Sequence, residues 1–187
     1  MKHRLKFLLF PAFLLFLLLL IIYAVKNSST LTRTIPPDWP KLVMLDPQPP
    51  VPDLPVYSLQ GEKISLKELV KNWTLLNIWR VDCPPCQKEF PILDELHKRY
   101  REKGFQVIGV NKGESPQTVR NFLMKKPVSF PIYLDLKENI SSALDIYLVP
   151  TSFLIRPDGN ILAEIFGVQE WLSSDFRAYI NHLLRSP

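Results

Sequence analysis

The chain has 187 residues, 47% of them hydrophobic and 22% charged, with 23 Lys and Arg against 18 Asp and Glu. This composition is close to the globular average and excludes both a fully disordered chain and a multi-span membrane protein. The net charge of +5 is not gathered into a basic stripe, so no nucleic-acid partner is expected, and two cysteines are too few for a disulfide scaffold.

The first 25 residues have the pattern of a membrane anchor. Residues 1–6 are a basic end, and residues 7–25 form a run of 19 residues without a charge. As a helix this run would extend about 28 Å, close to the ~30 Å hydrocarbon core of a bilayer. The basic end predicts that residues 1–6 are cytoplasmic and that the chain after residue 25 lies outside. We predict a transmembrane signal anchor at 7–25; the alternative, a cleaved signal peptide, usually has a shorter apolar run of ~7–15 residues.

Residues 26–50 are predicted to be a proline-rich linker. Eight of the 18 prolines lie between residues 26 and 56, which favours extended polyproline II segments and a semi-rigid spacer. The alternative is that the second half of this stretch packs on the following domain as an irregular arm, because it contains the apolar residues 42–45.

Residues 51–187 alternate between strand-like and helix-like patterns. Apolar and alternating runs predict strands at 56–59, 63–66, 74–80, 105–110, 130–134, 151–156 and 161–166. Cap residues and helical spacing predict helices at 65–71, 84–103, 115–125, 137–145 and 170–184. Strands that alternate with helices, followed by a β-hairpin and a last helix, predict an α/β domain with a mixed sheet.

The two cysteines, Cys83 and Cys86, follow a predicted buried strand and begin a predicted helix. Free backbone N–H groups and the positive end of the helix dipole favour a thiolate at such a position. Since Cys86 lies one turn into the helix, the pair can close a disulfide and cycle between dithiol and disulfide.

Two other uses of this pair stay open at the level of sequence. A structural disulfide is one, although so short a ring constrains little unfolded-chain entropy. A metal site is the other, but it needs further ligands, and the histidines are His3, His97 and His182. His3 lies in the predicted cytoplasmic end, and His97 lies some three helical turns beyond Cys86.

Three stretches of the chain together resemble one family. The segment 79–91, WRVDCPPCQKEFP, resembles the active-site segment of membrane-anchored thioredoxin-fold proteins of the TlpA/ResA type, which serve cytochrome c maturation. The segment 149–155 with the turn at 157–159 resembles the cis-proline segment and the hairpin after it. Residues 110–115 and 130–135 resemble the insertion that separates this family from plain thioredoxin, so that the resemblance covers about 51–185.

The resemblance implies a thioredoxin-like fold with a central mixed sheet, an N-terminal β-hairpin extension and an inserted helix and strand. It implies that Cys83 attacks substrate disulfides and that Cys86 resolves the mixed disulfide. Val149, Pro150 and Trp79 are expected at the substrate-binding surface, with Pro150 in the cis form opposite the cysteines. No cofactor and no metal is implied.

Glu89 is the expected catalytic acid, because it lies three residues after Cys86 on nearly the same helix face. In the family a buried acid near the cysteines assists proton transfer, and plain thioredoxins supply it from the preceding strand. That position is Asn77 here, which cannot titrate, so Glu89 takes the role. The alternative is a solvated Glu on the helix surface.

The segment also departs from the family pattern. Asp82 stands before the first cysteine where the family usually has an aromatic residue, and Arg80 replaces a small residue. Asp82 opposes thiolate formation at Cys83, Arg80 favours it if it points that way, and Pro84 removes a backbone donor. The sequence leaves the sign of the net effect open.

The expected function is that of a disulfide reductase in a bacterial inner membrane, single-pass, with its catalytic domain in the periplasm or otherwise outside the cytoplasm. Its partners would be a membrane thiol electron donor and protein disulfide substrates, with apocytochrome c first by resemblance. The alternatives are a general thiol oxidase or isomerase, and a non-enzymatic metallochaperone or binding module on the same fold.

Overall fold

The computed structural model describes residues 42–185 together with Leu17, Leu18, Leu20 and Ile22. The chain divides into two units, Met1–Asp38 and Trp39–Pro187. The four described residues of the first unit are helical and exposed. No helix within the described part of the chain is long and apolar enough to span a membrane. The predicted cytoplasmic end, most of the predicted anchor and the linker up to residue 41 lie outside the described residues.

The second unit is built on one eight-stranded mixed sheet. Its strands are β1 Leu42–Met44, β2 Pro55–Tyr57, β3 Lys63–Ser65, β4 Trp73–Trp79, β5 Phe105–Lys112, β6 Ile132–Asp135, β7 Thr151–Ile155 and β8 Ile161–Phe166. Their order across the sheet is β1-β8-β7-β4-β5-β6-β2-β3. β5 runs parallel to β4 and β6, and the other pairs are antiparallel. The predicted mixed sheet and hairpin extension are both present.

The helices begin where the sequence supplies caps. They are α1 Leu66–Leu69, α2 Pro84–Tyr100, α3 Pro116–Lys125, α4 Asn139–Ala143 and α5 Ser174–Leu183, with a 3-10 turn at Arg101–Lys103. The hydroxyls of Ser65, Ser115 and Ser173 each accept a backbone N–H from the first turn of the helix that follows. Such caps satisfy donors that a helix start leaves free, and they fix these starts within the chain.

The proline-rich stretch contributes a strand to the domain. Leu42–Met44 pairs antiparallel with β8, with Leu42 opposite Ile165. Farther along, the Val51 N–H donates to the Gly159 carbonyl at 2.8 Å. The second half of the predicted linker thus packs on the domain, as the alternative interpretation held, and adds an edge strand to the sheet.

Strand β4 lies in the middle of the sheet and carries the site at its end. All seven residues of β4 are buried. Its last side chain, Trp79, packs edge-on against Phe90 of α2 with ring centroids 4.5 Å apart, and lies 5.3 Å from Phe122 of α3. This aromatic contact fixes α2 against the sheet directly behind the two cysteines.

Candidate active site

The turn from β4 into α2 presents the two cysteines. Cys83 is the N-cap of α2 and forms a disulfide with Cys86 in the first turn. The Cys86 backbone N–H donates to Cys83 Sγ at 3.2 Å. Since Pro84 and Pro85 occupy the first two helical positions and lack an N–H, this is the one first-turn donor left for the Cys83 sulfur.

The two sulfurs differ in their access to solvent. Cys83 is 8% exposed and Cys86 is fully buried. Cys83 Sγ lies 3.7 Å from the carbonyl oxygen of Val149, which precedes the cis-peptide bond to Pro150. The structure therefore brings Val149 and Pro150 to the more accessible cysteine, as the resemblance implied, and Pro150 has the expected cis form.

The side chains of Tyr147 and Leu148, just before Val149, are 84% and 74% exposed. The hydroxyl of Thr151 donates to the Leu148 carbonyl at 2.9 Å and holds this turn against β7. Two exposed, largely apolar side chains therefore directly precede the residue whose carbonyl contacts Cys83.

Glu89 is fully buried beneath the cysteines, so the alternative of a solvated surface Glu is wrong. The Asn77 side-chain amide donates to its Oε2 at 3.3 Å, and the Trp171 indole N–H donates to its Oε1. Asn77 also donates to the Ser152 hydroxyl at 3.0 Å, which joins β4, β7 and α2 in one buried polar network.

Burial governs the acidity of this carboxyl group. Loss of hydration raises the pKa of Glu89 to about 7, against smaller opposing effects of the hydrogen bonds from Trp171, the Gln169 backbone and Asn77. A carboxyl with this pKa can both give and accept a proton near neutrality. Its position three residues after Cys86 places the two side chains on neighbouring turns of one helix face.

Trp79 has a different position from the one expected. Its side chain is fully buried in the contact with Phe90, and its Nε1 has no hydrogen-bond partner among the described residues. The ring therefore lies beneath the site as packing, and its burial keeps it from the surface that a substrate would touch.

Asp82 and Arg80 form an ion pair with each other on the turn before Cys83. Arg80 Nε donates to Asp82 Oδ1 at 2.8 Å, and a second guanidinium nitrogen donates to Oδ2 at 3.0 Å. The hydrogen bond from Arg80 holds the pKa of Asp82 below its usual value. The positive charge of Arg80 and the negative charge of Asp82 therefore offset each other on the turn before Cys83.

No group of three or more His, Cys, Asp and Glu residues within the described part of the chain is arranged to hold a metal ion. His97 is buried, and its Nδ1 accepts the Val107 backbone N–H at 3.1 Å. Burial lowers the pKa of His97, and this hydrogen bond needs a ring nitrogen without a proton. His97 thus joins α2 to β5.

Comparisons with known proteins agree with the disulfide chemistry that the site geometry indicates. A model of the AhpC/TSA family matches residues 47–164. The chain belongs to this family. The thiol-disulfide oxidoreductase ResA of Bacillus thuringiensis (strain Al Hakam) is 37% identical to it over 118 residues, which are 63% of this chain and 68% of the relative.

Solved structures agree with this relationship. A Chlorobium tepidum protein assigned as the thiol:disulfide interchange protein DsbE has a TM-score of 0.66 at 26% identity, over 73% of this chain and 96% of that one. StoA from Bacillus subtilis has a TM-score of 0.57 at 26% identity, over 70% and 98%. The thioredoxin-like fold and the TlpA/ResA-like relationship are confirmed, and this AhpC/TSA protein is a thiol-disulfide oxidoreductase.

Sequence reasoning did not identify one member of the site. Trp171 follows β8, and its indole reaches Glu89 across 82 residues of sequence. Residues 170–173 were predicted as the start of the last helix, whereas α5 begins at Ser174. A buried Trp just before a capping Ser is a weak signal, because no local spacing connects it to α2.

Proposed function

We propose that this oxidoreductase works as a reductase of protein disulfides outside the cytoplasm of a bacterium. The observation that carries the direction is the helix start at Cys83. A strong oxidant owes its potential to a stabilised reduced form, in which backbone donors and the helix dipole hold the thiolate. Pro84 and Pro85 remove two of those donors here, and Asp82 neutralises Arg80, the cation of the same turn. A weakly stabilised thiolate favours a low potential and therefore electron donation.

The reaction proceeds in two exchanges. The Cys83 thiolate attacks one sulfur of the substrate disulfide, which forms a mixed disulfide and releases the other substrate sulfur as a thiolate. The Glu89 carboxylate takes the proton of the Cys86 thiol, and the Cys86 sulfur then attacks Cys83. The second substrate sulfur leaves as a thiolate, and the two substrate thiolates take up one proton through Glu89 and one from water. The substrate thereby gains two electrons, and the enzyme is left with the oxidised Cys83–Cys86 disulfide.

Substrate binding falls to the segment before Pro150. The Val149 carbonyl lies 3.7 Å from Cys83 Sγ, so an extended substrate that pairs with this backbone brings its disulfide to the attacking sulfur. Apocytochrome c is the leading substrate, through the resemblance to TlpA/ResA-type proteins. A membrane thiol donor would reduce the disulfide again, and residues 7–25 would hold the protein at the inner membrane.

The direction is tested by the reduction potential of the full-length protein in glutathione or dithiothreitol buffers. A reductase is expected near or below about −250 mV, whereas a value between about −150 and −120 mV would mark an oxidant or isomerase.

Two proline variants test the role of the helix start. Pro85→Ala restores the N–H of the second helical position, from which a cap side chain can accept a hydrogen bond. We expect Pro85→Ala to raise the reduction potential. Pro84→Ala should raise it less, because its restored N–H lies at the first helical position.

The substrate is tested by trapping. In cells, Cys86→Ser should accumulate mixed disulfides through Cys83, because the resolving sulfur is missing. Cys83→Ser is the matched control and should trap nothing. Trapped peptides that carry the C-x-x-C-H haem-attachment motif would support apocytochrome c, and trapped peptides without it would replace apocytochrome c with another substrate. A Cys86→Ser protein that is reduced yet traps no protein at all would end the proposal.

A further inference from the structure

The turn before Cys83 carries a pair of opposite charges in a fixed geometry. Arg80 and Asp82 form two parallel hydrogen bonds of 2.8 and 3.0 Å, the fork-to-fork arrangement that gives Arg–carboxylate pairs their directionality. A third guanidinium nitrogen donates to the Lys112 carbonyl at the end of β5, at 3.2 Å. The guanidinium is therefore held between the turn and the sheet.

The neighbouring charges have other partners. Lys112 Nζ lies 3.5 Å from Glu138 Oε2 and donates to the Ile146 carbonyl at 2.8 Å. Glu114 accepts the Val81 backbone N–H and the side-chain amide of Asn111, each at 2.6 Å. Glu114 and Glu138 also act on Arg80 through space and raise its pKa, but Asp82 is the charged group to which Arg80 is hydrogen-bonded.

This pair is also close to the attacking sulfur. Asp82 directly precedes Cys83, and the chain geometry keeps its carboxylate within about 10 Å of Cys83 Sγ. At that range a bare carboxylate disfavours a thiolate and a bare guanidinium favours it. Mutual hydrogen bonding lowers the pKa of Asp82 and raises that of Arg80, so both stay charged throughout the range in which thiols react.

We propose that Arg80 and Asp82 are paired positioning residues for Cys83, each cancelling the charge that the other would impose on the attacking thiolate. The Cys83–Cys86 disulfide takes up two electrons and two protons to form two thiols, and one of these thiols ionises for attack. At a pH where Cys83 is ionised, a charge that stabilises the thiolate therefore stabilises the reduced form and raises the potential. The pair therefore has no net effect on the potential, which is determined by the start of α2. The inference does not depend on which substrate the protein reduces.

The test is a double-mutant cycle on the full-length protein. Asp82→Asn removes the hydrogen-bonded carboxylate of the guanidinium, and Arg80→Gln removes the hydrogen-bonded cation of the carboxylate. We expect the first to raise the acid dissociation constant of Cys83 about threefold and the second to lower it by a similar factor. Above the pKa of Cys83, where the reduced protein carries the thiolate, the equilibrium with glutathione should change by the same factor, which corresponds to about 14 mV, upward for Asp82→Asn and downward for Arg80→Gln. The double variant should return to the value of the unsubstituted protein.

The chain supplies a matched control in a second Arg–Asp pair of the same spacing. Arg156 Nε lies 3.2 Å from Asp158 Oδ2 in the turn after β7, at the end of that strand remote from Pro150. Arg156→Gln and Asp158→Asn remove the same charges there and should leave the thiol acidity and the potential unchanged. Arg80→Lys keeps the positive charge but loses the two parallel hydrogen bonds. Its Cys83 acidity and its potential should stay near those of the unsubstituted protein.

The readouts are the pH dependence of Cys83 alkylation and the equilibrium with glutathione above the pKa that this alkylation gives, both expressed as differences from the unsubstituted protein. Shifts of opposite sign that cancel in the double variant support the proposal, whatever the potential itself turns out to be. Shifts of the same sign, no shifts, or equal shifts in the Arg156 and Asp158 variants overturn it. Should Arg80→Gln fail to fold, Asp82→Asn and Arg80→Lys decide the question alone.

Discussion

Two regions next to the Cys83–Cys86 disulfide differ in their access to water. The first, which we call the mouth, is the ion pair of Arg80 and Asp82, whose side chains are 32% and 66% exposed. In the interior, Glu89 is fully buried, and the donors that reach it from the described residues are neutral: the side chains of Asn77 and Trp171 and the Gln169 backbone. The exposed pair is balanced in charge, whereas the buried carboxyl has no cation as a partner within the described part of the chain.

The difference shows how burial sets the role of a charged group. Exposed charges are screened by water and salt, so the mouth can adjust the Cys83 thiolate only slightly. A buried carboxyl without a cation shifts its own pKa instead, because the charged form has lost its hydration. We therefore expect large, salt-independent effects from the interior and small, salt-dependent effects from the mouth.

The largest expected effect comes from removing the interior acid. Glu89→Gln keeps the volume and the indole contact but cannot take the proton of Cys86. We expect the resolving step to slow on the order of 100-fold, the scale of general acid–base catalysis. Rapid quenching of the mixed disulfide with a model peptide disulfide measures this step. Glu68→Gln, at an exposed position of α1, is the control, and an unchanged rate in Glu89→Gln would remove Glu89 from the proton path.

The pH dependence of the free energy of unfolding should also report on Glu89. The pKa of Glu89 is raised to about 7 from an ordinary 4.5, so between these values the folded protein binds more protons than the unfolded chain. The Glu89 contribution therefore favours folding at low pH and is lost as pH rises, by about 3 kcal/mol in all. Urea unfolding of the disulfide form at pH 5 and pH 8 measures the slope.

Comparison with Glu89→Gln isolates this contribution from that of other groups. The variant should lack this loss and become the more stable protein at pH 8. Parallel curves for the two proteins across the range would contradict a raised pKa at Glu89.

The contrast between the two regions also marks how far the sequence could predict the site. Cys86 and Glu89 lie in α2 and Cys83 is its N-cap, so that the spacing of three residues predicts a shared face. The fully buried pattern of β4 likewise revealed a central strand. Trp171 was not predicted, since its contact with Glu89 depends on how the chain packs after β8. The pairing of Arg80 with Asp82 was open for a similar reason, because two-residue spacing on a turn does not fix side-chain direction.

The edges of the fold were harder to predict than its centre. Proline content suggested a spacer where Leu42–Met44 forms β1, because the partner of this strand, β8, lies more than a hundred residues later in the chain. The predicted ends of the helices at 65–71 and 137–145 extend beyond α1 and α4, which stop at Leu69 and Ala143. Central strands are set by local hydrophobicity, whereas edge strands and helix ends are set by tertiary contacts.

A smaller effect is expected from the donor that connects the interior to α5. Trp171→Phe keeps a ring near Phe176, 5.0 Å away in the structure, but removes the N–H that stabilises the Glu89 carboxylate. The pKa of Glu89 should rise by about one unit, the scale of a hydrogen bond to a charged group. The midpoint of the pH-dependent stability loss measures it. Trp73→Phe, at the other end of β4, should leave that midpoint unchanged.

The smallest expected effect is the response of the mouth to salt, and it tests the comparison most directly. The Debye length falls from about 10 Å at 0.1 M ionic strength to about 3 Å at 1 M, so that at 1 M salt exposed charges that are not in contact are largely screened from each other. The roughly threefold change in Cys83 acidity expected for Asp82→Asn should therefore shrink toward none at 1 M sodium chloride. The Glu89 midpoint, measured in the same two buffers, should hold, because no solvent reaches that carboxyl. If both quantities moved with salt, Glu89 would be hydrated; if neither moved, the Arg80–Asp82 pair would act on Cys83 by packing rather than by charge.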